Sequence, residues 1–451
     1  MNVADPRPTL IGYLPPPGGI RKTGANYPHH AQLINIGDIV YANAGAMLTS
    51  GRHFEAWNFG MSAEEVNEKY ARVIFFIPCR IAPAPYDHDG YPYEYVTRFI
   101  EKLTIPFFSL GESIQSREYQ YRPDFHRALS PAVVRYLQVI ADRSPLVGTR
   151  GHYSAQVLND LGIKNAVPLG CPSLYLNGPS LKHSLLSVPD APAKVAVCYS
   201  NYQGNDHSRI DDVLRLASQN HYYYVEQVFG LLAQVLYYPG KITGADVYTA
   251  RRLYKDLSPL LALLKQGRVR YFTNYTLWKD FLGSMDFVFG ARMHGVTPAV
   301  HAGKPAVFIA HDARVREMCE FFSLPFVAEH DLPATMTVDY FLSRCDYTAT
   351  LPRYQRAYAS FVQTLRTVGL DSNIGADGAL LDSWEPEPDV RVAREEHAPG
   401  PAAEELLNLE AQLALCAGIP DEVFAKLAQV NALSQRWYLT RQHRQASGTE
   451  Q

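Results

Sequence analysis

Short, continuously apolar runs separated by helical stretches recur along most of this chain, and that alternation limits its fold more than any other feature. Residues 9–13, 73–77, 105–110 and 146–149 read as strands in the first half. A strand that is apolar at every position has to be covered on both faces, which is the setting of a parallel sheet with helices on either side. Between these runs lie a helix at about 37–48, one opened by Ser62-Ala63-Glu64-Glu65, and one at about 154–161 closed by Gly162. Ser62 can cap exposed N–H groups while Glu65 reaches back, so that helix is predicted to run to about Tyr70. After a looser stretch at 180–193 the pattern restarts. Strands are predicted at 194–199, 268–272, 286–289 and 306–310, and helices at about 210–217, 223–236 and 295–301. The expected class is α/β: two doubly wound, Rossmann-like domains at 1–187 and 188–374 facing a central cleft, with the last helix crossing back to the first domain.

Past residue 374 the character changes. Residues 375–401 read as an acidic, Pro-rich linker, and 402–451 as a helical tail. Leu406, Leu409 and Leu413 share one helical face, and Val423, Phe424, Leu427 and Val430 another, a hairpin suited to packing on the body or on a second copy of the chain. Among 451 residues, 42 Lys and Arg stand against 45 Asp and Glu, a net charge of −3 with no long basic run, which argues against nucleic acid as partner. The six cysteines lie far apart with no Cys-x-x-Cys pair, excluding a zinc ribbon and arguing against a disulfide scaffold, so a reducing cytoplasm is expected. The N-terminus lacks the pattern of a secretion signal, and no apolar run reaches the ~18 residues needed to cross a bilayer. Asp87-His88-Asp89 sits in a Pro/Gly/Tyr-rich loop and reads as a solvated turn, so no metal site is expected.

The chemistry concentrates late in the chain. The strands at 286–289 and 306–310 flank one short helix, a βαβ crossover that makes them near neighbours with carboxyl ends at one sheet edge. Arg292 and His294 leave the first strand, and Asp312, Arg314 and Arg316 leave the second, both where helices begin. Guanidinium forks and helix N-termini suit a small, highly charged anion. An unperturbed His294 would titrate at about pH 6.5 and could give or take a proton. Arg316 and Glu317 also fit the plainer reading of a solvated helix face, and His301 reads as a core histidine.

These residues resemble the polysaccharide pyruvyl transferase family. Arg292-Met293-His294-Gly295 is similar to its Arg-x-His-Gly element, reinforced by Ala302-Gly303-Lys304-Pro305 and by Asp312-Ala313-Arg314-Val315-Arg316. Asn35-Ile36-Gly37-Asp38 resembles its Asn-x-Gly-Asp element, Thr149-Arg150 its mid-chain Arg element, and Gly170-Cys171-Pro172-Ser173 the loop after it. The resemblance covers roughly 8–374 and implies a GT-B-like pair of domains. It also implies phosphoenolpyruvate as donor, with no other cofactor, and a saccharide acceptor, either a polysaccharide or its lipid-linked precursor. The product would be a cyclic pyruvate ketal, with phosphate released. On this resemblance His294 transfers the proton, with Arg292 and Asp38 beside it. Arg292, Gly295, Asp312, Arg314, Arg316 and Arg150 hold the donor, while Asn35, Gly37 and Asp38 meet the acceptor; Asp38 equally fits a helix-start residue offsetting the macrodipole, and Arg150 a surface charge near a helix start. The family's Arg-Asp pair is Arg150-Gly151 here, and the 14–33 loop, with His29 and His30, is longer than usual. A lipid-linked acceptor would bring the protein to the inner face of the membrane. Two other readings stay open: a glycosyltransferase using a nucleotide sugar, and a non-catalytic glycan-binding subunit docking through its tail.

Overall fold

The computed structural model describes residues 7–12, 36–50, 54–57, 61–76, 79–83, 92–116, 118–199, 209–227, 254–272, 275–371 and 373–381. Residues 382–401 of the linker, the tail, Asp87-His88-Asp89, His29 and His30 lie outside these residues.

The chain forms two parallel six-stranded sheets. The first contains β1 (Thr9–Gly12), β2 (Phe54–Ala56), β3 (Arg72–Phe75), β4 (Phe107–Glu112), β5 (Val147–Thr149) and β6 (Ala166–Pro168), in the order β2-β1-β3-β4-β5-β6. Its helices are α1 (Ile36–Ser50), α2 (Ala63–Lys69), α3 (Tyr93–Glu101), α4 (Pro131–Arg143) and α5 (His152–Asp160). The second sheet contains β7 (Val195–Val197), β8 (Tyr223–Glu226), β9 (Val269–Tyr271), β10 (Phe287–Gly290), β11 (Ala306–Ala310) and β12 (Phe326–Ala328), in the order β12-β11-β10-β7-β8-β9. With it come α6 (Ile210–Gln219), α7 (Ser258–Lys265), α8 (Tyr275–Gly283), α9 (Met293–Ala302), α10 (Ala313–Phe322), α11 (Val338–Leu342) and α12 (Thr350–Thr367). The strand order reverses between β1 and β3 in the first sheet and between β7 and β10 in the second. Such reversals open crevices at the strands' carboxyl ends, where ligands of open α/β sheets bind.

The strands of the first sheet are buried almost throughout, and successive residues turn to different cores. Leu10, Val73, Phe75 and Phe107 belong to one apolar cluster, whereas Ile11, Ile74, Phe76 and Phe108 belong to another. Period-two alternation places successive side chains on opposite faces, so both faces are covered. The second of these clusters runs on through Leu174 and Tyr175 into Val195, Val197 and Phe289 of the second sheet, so the two units share a core. The chain then returns to the first unit. Tyr354 of α12 donates to the Leu174 carbonyl (3.0 Å), Arg72 to the Gly369 carbonyl (2.9 Å), and Asn373 to the Met47 carbonyl (2.9 Å).

The α/β class and the capping box at Ser62 are as expected, with Glu65 N–H donating to the Ser62 hydroxyl (3.1 Å) and Ser62 N–H to the Glu65 carboxylate (2.8 Å). One assignment is corrected: residues 223–226 form strand β8, not the start of a helix. Tyr223, Tyr224 and Val225 are aromatic or β-branched and favour a pleated, buried setting, which outweighs the helical spacing of the apolar residues after them. Strands β2, β6 and β12 are three residues each, too short for alternation to reveal. β6 ends in Pro168 at a sheet edge, where a missing N–H costs least.

Candidate active site

Every functional side chain here leaves the carboxyl end of a strand or the first turns of the helix after it. β10 ends at Gly290, and Arg292 is the extended N-cap residue of α9, with φ −102° and ψ 119°. His294 follows in the first turn, 7% exposed. A Cβ at Gly295 would lie 2.0 Å from Nε2 of Gln227, which leaves β8, so a side chain there would have to push the Gln227 amide aside. From β11 come His311 and Asp312. Asp312 caps α10, its Oδ1 accepting from Val315 N–H at 2.8 Å. Its Oδ2 lies 3.2 Å from Arg314 Nη2 and 3.4 Å from His311 Nε2. Although burial works against the charge, Arg314 and then His311 hold this carboxyl well below the usual range.

The first unit supplies the opposite wall. Arg150 leaves β5 with its backbone N–H donating to the Glu112 carbonyl (2.9 Å). Its guanidinium, on a residue 2% exposed, stacks 3.8 Å over the ring of Tyr41 from α1. Among the described residues, Nε and Nη2 of Arg150 have no hydrogen-bond partner. Burial works against this charge, but Cys171, Tyr41 and Cys79 around it outweigh burial, and the guanidinium pKa is raised. Tyr41 is fixed by donating to the Gly111 carbonyl (3.0 Å), and Gly111, at φ 77°, cannot carry a side chain because a Cβ would meet the Tyr41 hydroxyl at 1.9 Å.

Between the walls lies a small hollow, partly continuous with solvent, lined among others by Cys79, Arg150, Gln227, Arg292, His294 and Arg314. Arg314 reaches it while donating to Gln115 Oε1 (2.9 Å) and Cys79 Sγ (3.0 Å). The imidazole of His294 stacks on Tyr41 (ring centroids 5.9 Å apart), and its Nε2 lies 3.5 Å from Cys171 Sγ. Burial first, then Arg150, Arg314 and Arg292, push the His294 pKa well below its ordinary value. The imidazole is therefore neutral at pH 7, not poised near pH 6.5.

Arg150, Arg292, Arg314 and His294 thus come together, and other expected site residues fall elsewhere. Asp312 does not line the hollow; its carboxylate is spent on the α10 cap, Arg314 and His311. Arg316 points away, donating to Glu320 (2.8 Å) and lying between the rings of Tyr119 (4.9 Å) and Tyr121 (4.2 Å). The Gly295 N–H is engaged by the Arg292 carbonyl (2.9 Å). Asn35 lies outside the described residues, as does the side chain of Asp38. Gly37 is buried in the first turn of α1. His301 is buried, its Nε2 3.3 Å from the Leu174 carbonyl.

Glu317 corrects the idea of a solvated face. It is 2% exposed, and its Oε2 accepts from Ser154 N–H at 2.9 Å. A Cβ at residue 151 would sit 2.8 Å from that same oxygen, so the space of a side chain after Arg150 is filled by a carboxylate from the other unit. Burial, opposed by the Ser154 bonds and Arg150, pushes the Glu317 pKa up to about 7. Between pH 4.5, its value in an exposed chain, and pH 7 the native state holds the extra proton. This group's contribution to stability therefore falls as pH rises through that window and levels off above it. Relative to the parent protein, Glu317→Gln should become more stable on going from pH 5 to pH 8, by about 2–3 kcal/mol. Urea denaturation at the two pH values measures this; an unchanged difference would show that the carboxyl titrates as if exposed.

Among the described residues, no helix is long and apolar enough to cross a membrane, and no group of three or more His, Cys, Asp or Glu could hold a metal ion. A family model described as polysaccharide pyruvyl transferase matches residues 84–313. No curated protein is matched by the sequence. A UDP-GlcNAc 2-epimerase of Methanocaldococcus jannaschii, solved with UDP-GlcNAc and UDP, is 11% identical, with a TM-score of 0.40 over 79% of this chain and 99% of that one. Anabaena Alr3699/HepE, solved with UDP and glucose, is 12% identical, with a TM-score of 0.38 over 80% and 98%. An uncharacterised protein of Klebsiella pneumoniae is 14% identical, with a TM-score of 0.34 over 65% and 89%.

Proposed function

Because the chain belongs to the polysaccharide pyruvyl transferase family, we propose that it moves the pyruvyl group of phosphoenolpyruvate onto two hydroxyls of one sugar. The sugar belongs to a cell-surface polysaccharide or its lipid-linked precursor, and the product is a cyclic ketal with phosphate released. The observation that carries this reading is Arg150: a buried guanidinium with two nitrogens unpartnered among the described residues, sharing one hollow with Arg292, Arg314 and a neutral imidazole. Unpaired buried N–H groups are costly, so such an arrangement fits a site completed by an anion.

Phosphoenolpyruvate carries a carboxylate and a phosphate on one carbon, and clustered guanidinium forks can hold both ends. His294 takes the proton of the first attacking hydroxyl and passes it to the methylene carbon. One C–O bond forms at C2 while the C2=C3 double bond becomes a methyl group. The second hydroxyl then displaces phosphate at C2, and its proton leaves with the phosphate. The arginines stabilise charge on the departing group, and the proton shuttle contributes about 10²–10⁴-fold. An acceptor still on its lipid carrier places this step at the cytoplasmic face of the membrane.

A thermal-shift series tests the donor. At about a hundred times its Kd, phosphoenolpyruvate should stabilise the protein by about 3 kcal/mol. Preferential stabilisation by a nucleotide sugar would instead favour sugar transfer, and indifference to every small anion would favour a non-catalytic glycan-binding role.

A further inference from the structure

Cys79 follows β3, beside the point where the strand order of the first sheet reverses. Its φ is 62°, a left-handed conformation that is strained for a non-glycine residue. The turn is held by its own backbone N–H donating to the Ser113 hydroxyl at 3.2 Å. It presents the sulfur to the hollow, where Sγ accepts from Arg314 Nη1 at 3.0 Å and faces the Ser113 hydroxyl at 3.8 Å. Cys171, Cys198, Cys319 and Cys345 are all buried, whereas Cys79 is only half-buried. A second, independent feature marks the same hollow as a ligand site: Arg150, 2% exposed, with Nε and Nη2 unpartnered among the described residues.

Accessible thiols beside positive charge are the ones that small oxidants reach. We propose that Cys79 is a modification site: a hydroperoxide oxidises its sulfur to the sulfenic acid, and an anion seated in the hollow shields it. The sulfur, giving up its proton, attacks the terminal oxygen of the peroxide, an S–O bond forms and the O–O bond breaks. The departing alkoxide or hydroxide takes up a proton. Sulfur gives up two electrons, and the peroxide is reduced to alcohol or water. The added oxygen stands beside Arg314 and takes volume from any guest, so oxidation closes the hollow until a thiol reductant restores it.

The full chain is treated with hydrogen peroxide in the presence of dimedone, which traps sulfenic acids, and the adducts are mapped by mass spectrometry, with and without inorganic phosphate. The expected result is dimedone on Cys79, falling about tenfold in rate when phosphate stands at ten times its Kd. A thermal-shift arm with phosphate alone confirms that the anion binds. The shielding half of the proposal rests on the anion reading above; the oxidation half needs no turnover and stands apart from it. No adduct on Cys79, adducts on the buried cysteines instead, or labelling that bound phosphate does not slow would each overturn the proposal. In a second arm Cys79→Ser should keep the same fraction of its own activity before and after peroxide, while the parent protein loses most of its activity and recovers it with dithiothreitol. Equal losses in both would also overturn it.

Discussion

Arg150→Met should fold more stably than the parent protein and lose its grip on anions. Two nitrogens of this guanidinium are buried without a hydrogen-bond partner among the described residues. Each such buried group costs about 1–3 kcal/mol, and methionine fills a similar volume without it. The loss of the stacking of Arg150 on Tyr41, at 3.8 Å, takes back about 1–2 kcal/mol. A net gain of about 1–3 kcal/mol in urea denaturation is therefore expected. Phosphoenolpyruvate affinity should fall about a hundredfold or more, because hydrogen bonds between charged groups contribute about 1.5–3 kcal/mol each. Function and stability oppose one another at such a residue. A destabilised variant that still binds phosphoenolpyruvate normally would make Arg150 a structural residue only.

His294→Ala should reduce transfer by about 10²–10⁴-fold while phosphoenolpyruvate still raises the Tm. The pH profile of the parent protein gives a sharper check. In the resting protein, burial and then three arginines keep the imidazole neutral far into acid. The acid limb of kcat/KM, which reports the free enzyme, should therefore lie well below pH 6.5. A bound polyanion offsets the guanidinium charges, so the pKa of His294 rises in the complex. The acid limb of kcat should accordingly lie at higher pH than that of kcat/KM. Coincident limbs, or a fully active His294→Ala, would remove this imidazole from the proton transfer.

Much of this site was legible in the sequence because a strand exit followed by a helix start leaves a local signature. Arg292, His294 and Arg314 could be placed from the two apolar runs at 286–289 and 306–310 alone. Arg150 was legible only through its resemblance to a family element, since nothing local distinguishes it from a surface charge. Gln227 is hidden because the apolar spacing at 223–236 reads as a helix, which conceals a strand exit. Cys79 follows a legible strand, but only the fold sets it beside Arg314. Tyr41 is an aromatic residue at helical spacing, and its contact with Arg150 and His294 is purely tertiary. Asp312 and Arg316 show the limit of motif reasoning: both stand in the right segment, yet a helix cap claims one side chain and Glu320 with the rings of Tyr119 and Tyr121 the other. The roles of Gly151 and Glu317 could not be read separately, because what fills the space beside Arg150 belongs to a strand-and-helix unit elsewhere in the chain.

The apolar seam joining Ile11, Ile74 and Phe76 to Val195, Val197 and Phe289 sets a rule for traffic. Prising the halves apart would wet hydrocarbon that is otherwise dry, so wide jaw-like opening carries a heavy penalty. A guest then enters through the solvent-open side of the hollow while the two units stay packed.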